Sequence, residues 1–400
     1  MDAVDRAFRE EWGQIVATLI RLTGDWDLAE ECAQDAFALA LQRWPVDGVP
    51  RRPGAWLTTT ARNRAIDRLR REALGAAKLR ELAIAQEPAE THDIPDDRLR
   101  LMFTCCHPAL AFEAQVALAL RTLAGLTTAE IARAFVVPEQ TMSKRLVRAK
   151  QKIRNAGIPY RVPPAHLLPE RTAAVLGVLY LLFNEGYAAT AGADLQRHNL
   201  AGEAIRLARV LAALMPDEPE ADGLLALMLL HDARRDTRVD ARNELVTLAE
   251  QDRTRWDRAE IAEGVAVLDR ALHRRRPGPY QVQAAIAACH ATAPTAEDTD
   301  WRQIVVLYEQ LVKFVPSPVV ELNRAVAVAM ADGPAAGLAL VERLDLANYH
   351  LFHATRADLL RRLDRPDEAA AAYRQAIELA GTDTERKFLE RRLAEVSVHA

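Results

Sequence analysis

The 400-residue sequence predicts an all-α protein: two small helical domains followed by an α-helical repeat domain. Three observations carry that expectation. Alanine, leucine and arginine dominate, while clusters of Val, Ile, Thr and aromatic residues are scarce. Apolar residues recur at spacings of three and four. Toward the C-terminus, helix pairs opened by proline repeat about every 32 residues.

Taken in order, residues 1–75 are helical by periodicity, and residues 76–97 thin into a polar, acidic linker. Residues 98–157 form a second helical block. A linker at 158–169, with Pro159, Pro163, Pro164 and Pro169, precedes the helices of residues 170–400. In that last block Tyr308, Leu340 and Tyr373 are spaced 32 and 33 apart, and Pro334 and Pro366 lie 32 apart. Ala369, Tyr373 and Ala376 share one helix face in a pattern that resembles the tetratricopeptide repeat. Such pairs bury their apolar faces only by stacking on neighbours. A generic Ala/Leu-rich bundle is the other reading, above all before residue 300.

Composition excludes several classes. The longest apolar run, Ala173 to Phe183, is half of what a membrane span needs, and the N-terminus lacks a basic start followed by an apolar stretch. A cytoplasmic protein with no membrane partner is expected. The cysteines Cys32, Cys105, Cys106 and Cys289 make no disulfide framework. Cys105-Cys106-His107 has no second ligand pair nearby, so small buried residues in a helix are expected there, with no metal and no cofactor. Phosphate-binding glycine loops, nucleophile elbows and paired catalytic carboxylates are lacking, so no enzyme is expected.

Residues 1–160 hold 23 Lys+Arg against 21 Asp+Glu, and the remainder holds 29 against 35. Within the first part, residues 51–71 carry seven arginines against Asp67 alone, and residues 133–154 carry seven basic residues against Glu139 alone. Two compact basic stretches are a footprint for phosphate contacts. Either one alone is equally a solvated helix face.

Residues 127–154 make the sharpest pattern. Thr127 and Glu130 form a capping box that opens a helix with Ile131 and Phe135 inward. After Val136-Val137, Pro138 suits the first position of a second helix. Met142, Leu146, Ala149 and Ile153 give it one apolar stripe, and Glu139, Gln140, Ser143, Lys144, Val147 and Arg148 lie on the other side. This is a helix-turn-helix able to present polar residues to base edges, with Lys144, Arg145, Arg148, Lys150 and Lys152 near phosphates.

Thr141 to Lys150, TMSKRLVRAK, is similar to the T-V-K-S-R-L-x-R-A-R helix with which sigma factors read the promoter −35 element. The family has glycine in the turn where this chain has Val136, so a turn of different geometry is expected. Ala29-Glu30-Glu31-x-x-Gln34-Asp35-x-Phe37 resembles the A-E-D-x-x-Q-E-x-F segment of extracytoplasmic-function sigma factors, which docks on a basic coiled coil of the polymerase. Asp27, Glu30, Glu31, Gln34 and Asp35 are the corresponding candidates, with Leu28, Cys32, Phe37 and Leu39 inward. Residues 50–71 resemble the part of region 2 that recognises and melts the −10 element, through Trp56-Leu57 and the Asn63, Ala65, Arg68-Leu69 pattern. Arg52, Trp56, Arg62, Asn63, Arg64 and Arg68 are the candidates there, although a tryptophan at a helix start is more often a core anchor than a stacking platform, so Trp56 is the weakest of them.

The resemblance covers about 160 residues. It implies a region 2 domain at 1–75 and a region 4 helix-turn-helix at 98–157, with Glu139, Gln140, Ser143, Lys144, Arg145 and Arg148 on the −35 duplex. The implied partners are core RNA polymerase and promoter DNA, duplex at −35 and melted at −10. The acidic linker fits a negative mimic threaded through polymerase channels, or a plain tether. The extension at 170–400 resembles that of one group of these factors and suits a regulatory protein partner. Its polar groups Asn184, Glu185, Gln251, Asp252, Arg255, Trp256 and Asp257 suit either a groove lining or structural contacts. The alternative is a helix-turn-helix regulator with a helical-repeat sensor domain, which leaves residues 27–71 unexplained.

Overall fold

A computed structural model of the chain describes residues 3–72, 97–135, 137–188, 195–240, 244–381 and 383–397. The described residues form helices with no strand, apart from one isolated bridge between Val239 and Leu245. The acids of the expected linker, Asp97 excepted, and the expected Val136 turn lie outside them. The chain divides into two compact units, Met1–Leu182 and Phe183–Ala400.

The first unit holds α1 (Ala3–Thr23), α2 (Trp26–Asp47), α3 (Pro53–Glu72), α4 (Asp97–Cys105), α5 (Phe112–Thr122), α6 (Thr128–Ala134), α7 (Glu139–Asn155) and the start of α8 (Leu168–Ala188). Asp25 caps α2, its carboxylate accepting from the Asp27 and Leu28 amides at 2.8 and 3.1 Å. Helices α1, α2 and α3 pack around Trp12, Phe37 and Phe8, with the Phe8 ring 4.9 Å from Trp12 and 5.0 Å from Phe37.

This helical trio does not stand apart from α4–α7. Trp12 Nε1 donates to the Arg121 carbonyl at 3.3 Å, and Tyr160 donates to the Ala17 carbonyl at 2.8 Å. A Cβ at Gly13 would sit 2.8 Å from the Leu123 carbonyl oxygen, so glycine permits α1 to reach the end of α5. Asp97, buried at the start of α4, accepts from Arg21 and Arg100, each at 3.0 Å.

The second unit holds the end of α8, α9 (Leu195–Leu214), α10 (Pro219–Asp232), α11 (Arg258–His273), α12 (Pro279–Thr292), α13 (Trp301–Phe314), α14 (Pro318–Ala331), α15 (Pro334–Val341), α16 (His350–Arg362), α17 (Pro366–Leu379) and α18 (Asp383–Ser397). Proline opens five of these helices, where its missing N–H needs no partner. From α12 on, each helix packs on the next in sequence, as stacked pairs must. Ala369, Tyr373 and Ala376 are all buried on one face of α17. Arg391 and Arg392 of α18 reach back to Glu244 and Glu250, each at 3.1 Å.

Candidate nucleic-acid interface

The helix-turn-helix forms over α6 and α7. The Glu130 carboxylate accepts from the Thr127 amide at 2.7 Å, and the Glu130 amide donates to the Thr127 hydroxyl at 3.2 Å, completing the capping box. Pro138 is the N-cap of α7, with ψ 143°, so the helix starts one residue later than its proline suggests. Met142, Leu146, Ala149 and Ile153 are all buried. Glu139, Gln140, Ser143, Lys144 and Arg148 are exposed, as is the apolar Val147, at 60%. Arg145 lies over the Phe135 ring, 5.8 Å from its centroid. The exposed face therefore offers hydrogen-bonding groups, two cations and one apolar contact to a major groove.

Lys150 departs from the expected phosphate position. It sits on the edge of the apolar stripe, is 7% exposed, and its Nζ donates to Asp27 and Glu30, each at 2.8 Å. Glu30, expected on an outward acidic face, is 6% exposed and also accepts from Arg121 Nε at 2.9 Å. A carboxylate so buried is stable as an anion only with such partners.

The remaining acids of α2 turn toward α3. Asp35 accepts from Arg64 at 3.4 Å and from Arg68 at 3.1 Å, and Arg68 also donates to Glu31. That hydrogen bond raises the Arg68 pKa above its ordinary value. Two of the arginines expected on the −10 strand are therefore ion-paired within the trio. Arg52 and Asn63 are exposed, Arg62 is half-buried, and Gln34 faces solvent. Trp56 is half-buried edge-on to Trp44, ring centroids 5.7 Å apart, so it anchors α3 to the end of α2.

Spacing missed two residues of this site. Arg121 lies 91 positions from Glu30, near the end of a helix that also carries Glu113, Gln115 and Thr122, and nothing local marks it. Lys150 had a signal: it follows Leu146 by four and precedes Ile153 by three, which puts it on the buried side.

Among the described residues no group of three or more His, Cys, Asp or Glu could hold a metal. Cys105 and Cys106 are buried; desolvation pushes the Cys105 thiol up to about 12 and Cys106 also upward, and Cys105 Sγ lies 3.3 Å from the Thr122 hydroxyl.

In the second unit the 251–257 stretch is a structural knot. Gln251 and Trp256 both bond the Thr237 hydroxyl, at 3.2 and 2.9 Å. Arg253 donates to the carbonyls of His290 and Ala293 at 2.7 and 2.9 Å, at the end of α12. Asp252 and Asp257 cap the helical turns that follow them. Arg255 is exposed, Asn184 is half-buried, and the Glu185 side chain lies outside the described residues. Structural contacts thus account for Gln251, Asp252, Trp256 and Asp257.

Family models match three stretches: sigma-70 region 2 over residues 8–74, sigma-70 region 4 over 100–153, and a family of unknown function, DUF6596, over 171–272. An uncharacterised protein of Rhizobium meliloti is 45% identical over 98% of this chain and 95% of its own length. The ECF RNA polymerase sigma factor SigL of Mycobacterium tuberculosis is 30% identical over 38% of this chain and 88% of SigL. The region 2 match takes in all of α2 and α3, and the region 4 match takes in α6 and nearly all of α7, the helix with the exposed polar face. This chain belongs to the extracytoplasmic-function sigma factors of the sigma-70 family.

Proposed function

We propose that the protein binds core RNA polymerase in the cytoplasm and directs initiation at a specific set of promoters. In this reading α7 enters the −35 major groove, with Glu139, Gln140 and Ser143 at base edges and Lys144, Arg145 and Arg148 near phosphates. The α3 segment, through Arg52, Trp56, Arg62, Asn63, Arg64 and Arg68, holds the separated strand at −10. The acidic face of α2, with Asp27, Glu30, Glu31, Gln34 and Asp35, meets a basic surface of the polymerase. The tetratricopeptide-like helices of the extension serve a regulatory or interaction role, through a protein partner.

The observation that carries this reading is the exposed, cation-rich face of α7 in the same chain as an acid-bearing region 2. A duplex-binding regulator explains the first but has no use for the second. The test is run-off transcription with bacterial core polymerase and a fragment library of promoters. Initiation at defined sites that requires the protein supports the reading. Tight footprints on duplex DNA without polymerase, and no initiation with it, replace it by a helix-turn-helix regulator.

A further inference from the structure

Four basic side chains of the second unit converge on one place. His231, in the last turn of α10, lies with Nδ1 3.0 Å from Arg234 Nη2. An arginine only donates, so Nδ1 accepts and His231 is held as the neutral ring with its proton on Nε2. Arg238 lies over the Tyr187 ring, 3.7 Å from its centroid, and His231 meets the same ring edge-on at 5.5 Å. His290, in the last turn of α12, is near enough to feel the charge of Arg234; burial first, and then Arg234 and Arg253, push it down to about 4. His231 is pushed down as well, by burial and then by Arg234, Arg238 and His290. All of these side chains are half-buried.

Structural roles do not use up this charge. The end of α12 is already capped by Arg253, which donates to the His290 and Ala293 carbonyls at 2.7 and 2.9 Å. Asp232, next to His231, is paired with Arg235 at 2.7 Å. Among the described residues no carboxylate pairs with Arg234, His231 or His290, and His290 Nδ1 is buried without a hydrogen-bond partner. Arg234 thus spends one N–H on a neutral ring, and a half-buried guanidinium left so is costly until an anion completes it.

We propose that His231, Arg234, Arg238 and His290 form a binding site for a phosphoryl group, carried by a small molecule or free as phosphate. The donors come from the ends of two helices and the turn after α10, so they approach from several sides. That suits a tetrahedral oxyanion better than a planar carboxylate. Arg234 supplies the fork that phosphate favours, and the neutral histidines add N–H donors without adding charge. The extension then has a small-molecule ligand of its own, whatever α2, α3 and α7 bind.

Titration calorimetry and thermal melting of the full-length protein test this, with inorganic phosphate, glucose 6-phosphate and citrate at equal ionic strength set by chloride. Phosphate at about 20 mM is expected to raise the wild-type midpoint by about 5 °C. Arg234→Gln and His290→Gln are expected to bind phosphate at least about tenfold more weakly. Without phosphate, Arg234→Gln is expected to melt no lower than the wild type, because it removes an unmatched cation; a merely structural Arg234 predicts a lower midpoint and overturns the site. Circular dichroism checks folding, and Arg234→Lys, which keeps the charge and loses the fork, replaces Arg234→Gln if that variant does not fold. Equal affinity for phosphate and glucose 6-phosphate supports a site for the phosphoryl group alone, and tighter binding of the ester supports an organic phosphate. No shift with either, or a shift with citrate alone, overturns the proposal. Phosphate binding that both variants retain in full means an adventitious ion only and overturns it too.

Discussion

Arg68 reaches Asp35 Oδ2 at 3.1 Å, which ties the helix of the −10 candidates to the helix of the polymerase candidates. Both side chains are about one-third exposed, so solvent screening keeps the pair weak. A double-mutant cycle with Arg68→Ala and Asp35→Ala, followed by urea denaturation, is expected to give a coupling of about 0.5 kcal/mol. A coupling of zero means that the pair with Asp35 does not persist in solution, which leaves Glu31 as the partner of Arg68 on α2.

Arg148 is an exposed cation in the middle of α7. In the proposed function, replacing it by alanine removes one phosphate contact, and the exposed side chain takes no packing with it. Promoter binding by the holoenzyme is expected to weaken about tenfold, and the slope of log affinity against log salt to shrink by about one. Filter binding at several salt concentrations measures both, and an unchanged slope removes Arg148 from the interface.

Arg253 is 7% exposed and spends its guanidinium on carbonyls at the end of α12 and on Thr299 Oγ1, 3.4 Å away. Arg253→Met leaves those buried acceptors unpaired, a loss of about 3 kcal/mol. The expected outcome is a lower denaturation midpoint for the second unit, read by tryptophan fluorescence through Trp256 and Trp301. An unshifted midpoint contradicts the structural role of the 251–257 knot.

Glu260 has its carboxyl pushed up to about 7, first by burial and then by the nearby Asp232. The folded protein therefore binds this proton more tightly than the unfolded chain does. Stability falls as pH rises from about 4.5 to about 7 and is flat beyond. Because the side chain is partly solvated, the effect is on the order of 1 kcal/mol. Glu260→Gln is expected to flatten the dependence and to melt higher than the wild type at pH 8. Equal melting temperatures at pH 8 reject this account.

Local features of this fold were written in local sequence. The Met142, Leu146, Ala149, Ile153 stripe follows from helical spacing alone. The Thr127–Glu130 box needs only two side chains three residues apart, and Pro334 and Pro366 mark their own helix starts. Pro138 misled by one residue because proline fixes φ and leaves ψ open. The candidate site was less legible: acidic and basic residues could be sorted onto helices, but their partners could not be named. Glu30 meets Arg121 across 91 positions and Lys150 across 120, and Asp35 meets Arg68 across 33. Those pairings are properties of the packing between helices, which periodicity within one helix does not encode.

Cys32, Cys105 and Cys106 are all buried in the first unit, and burial raises the pKa of each thiol. Only the thiolate reacts quickly with alkylating agents or peroxide. In the folded protein burial shields these three sulfurs from reagent, and Cys289, half-buried in the second unit, is the more accessible one. Their modification becomes a clock for local opening. Brief iodoacetamide labelling, read by mass spectrometry at each cysteine, follows opening of the first unit in the native sequence, with no residue replaced.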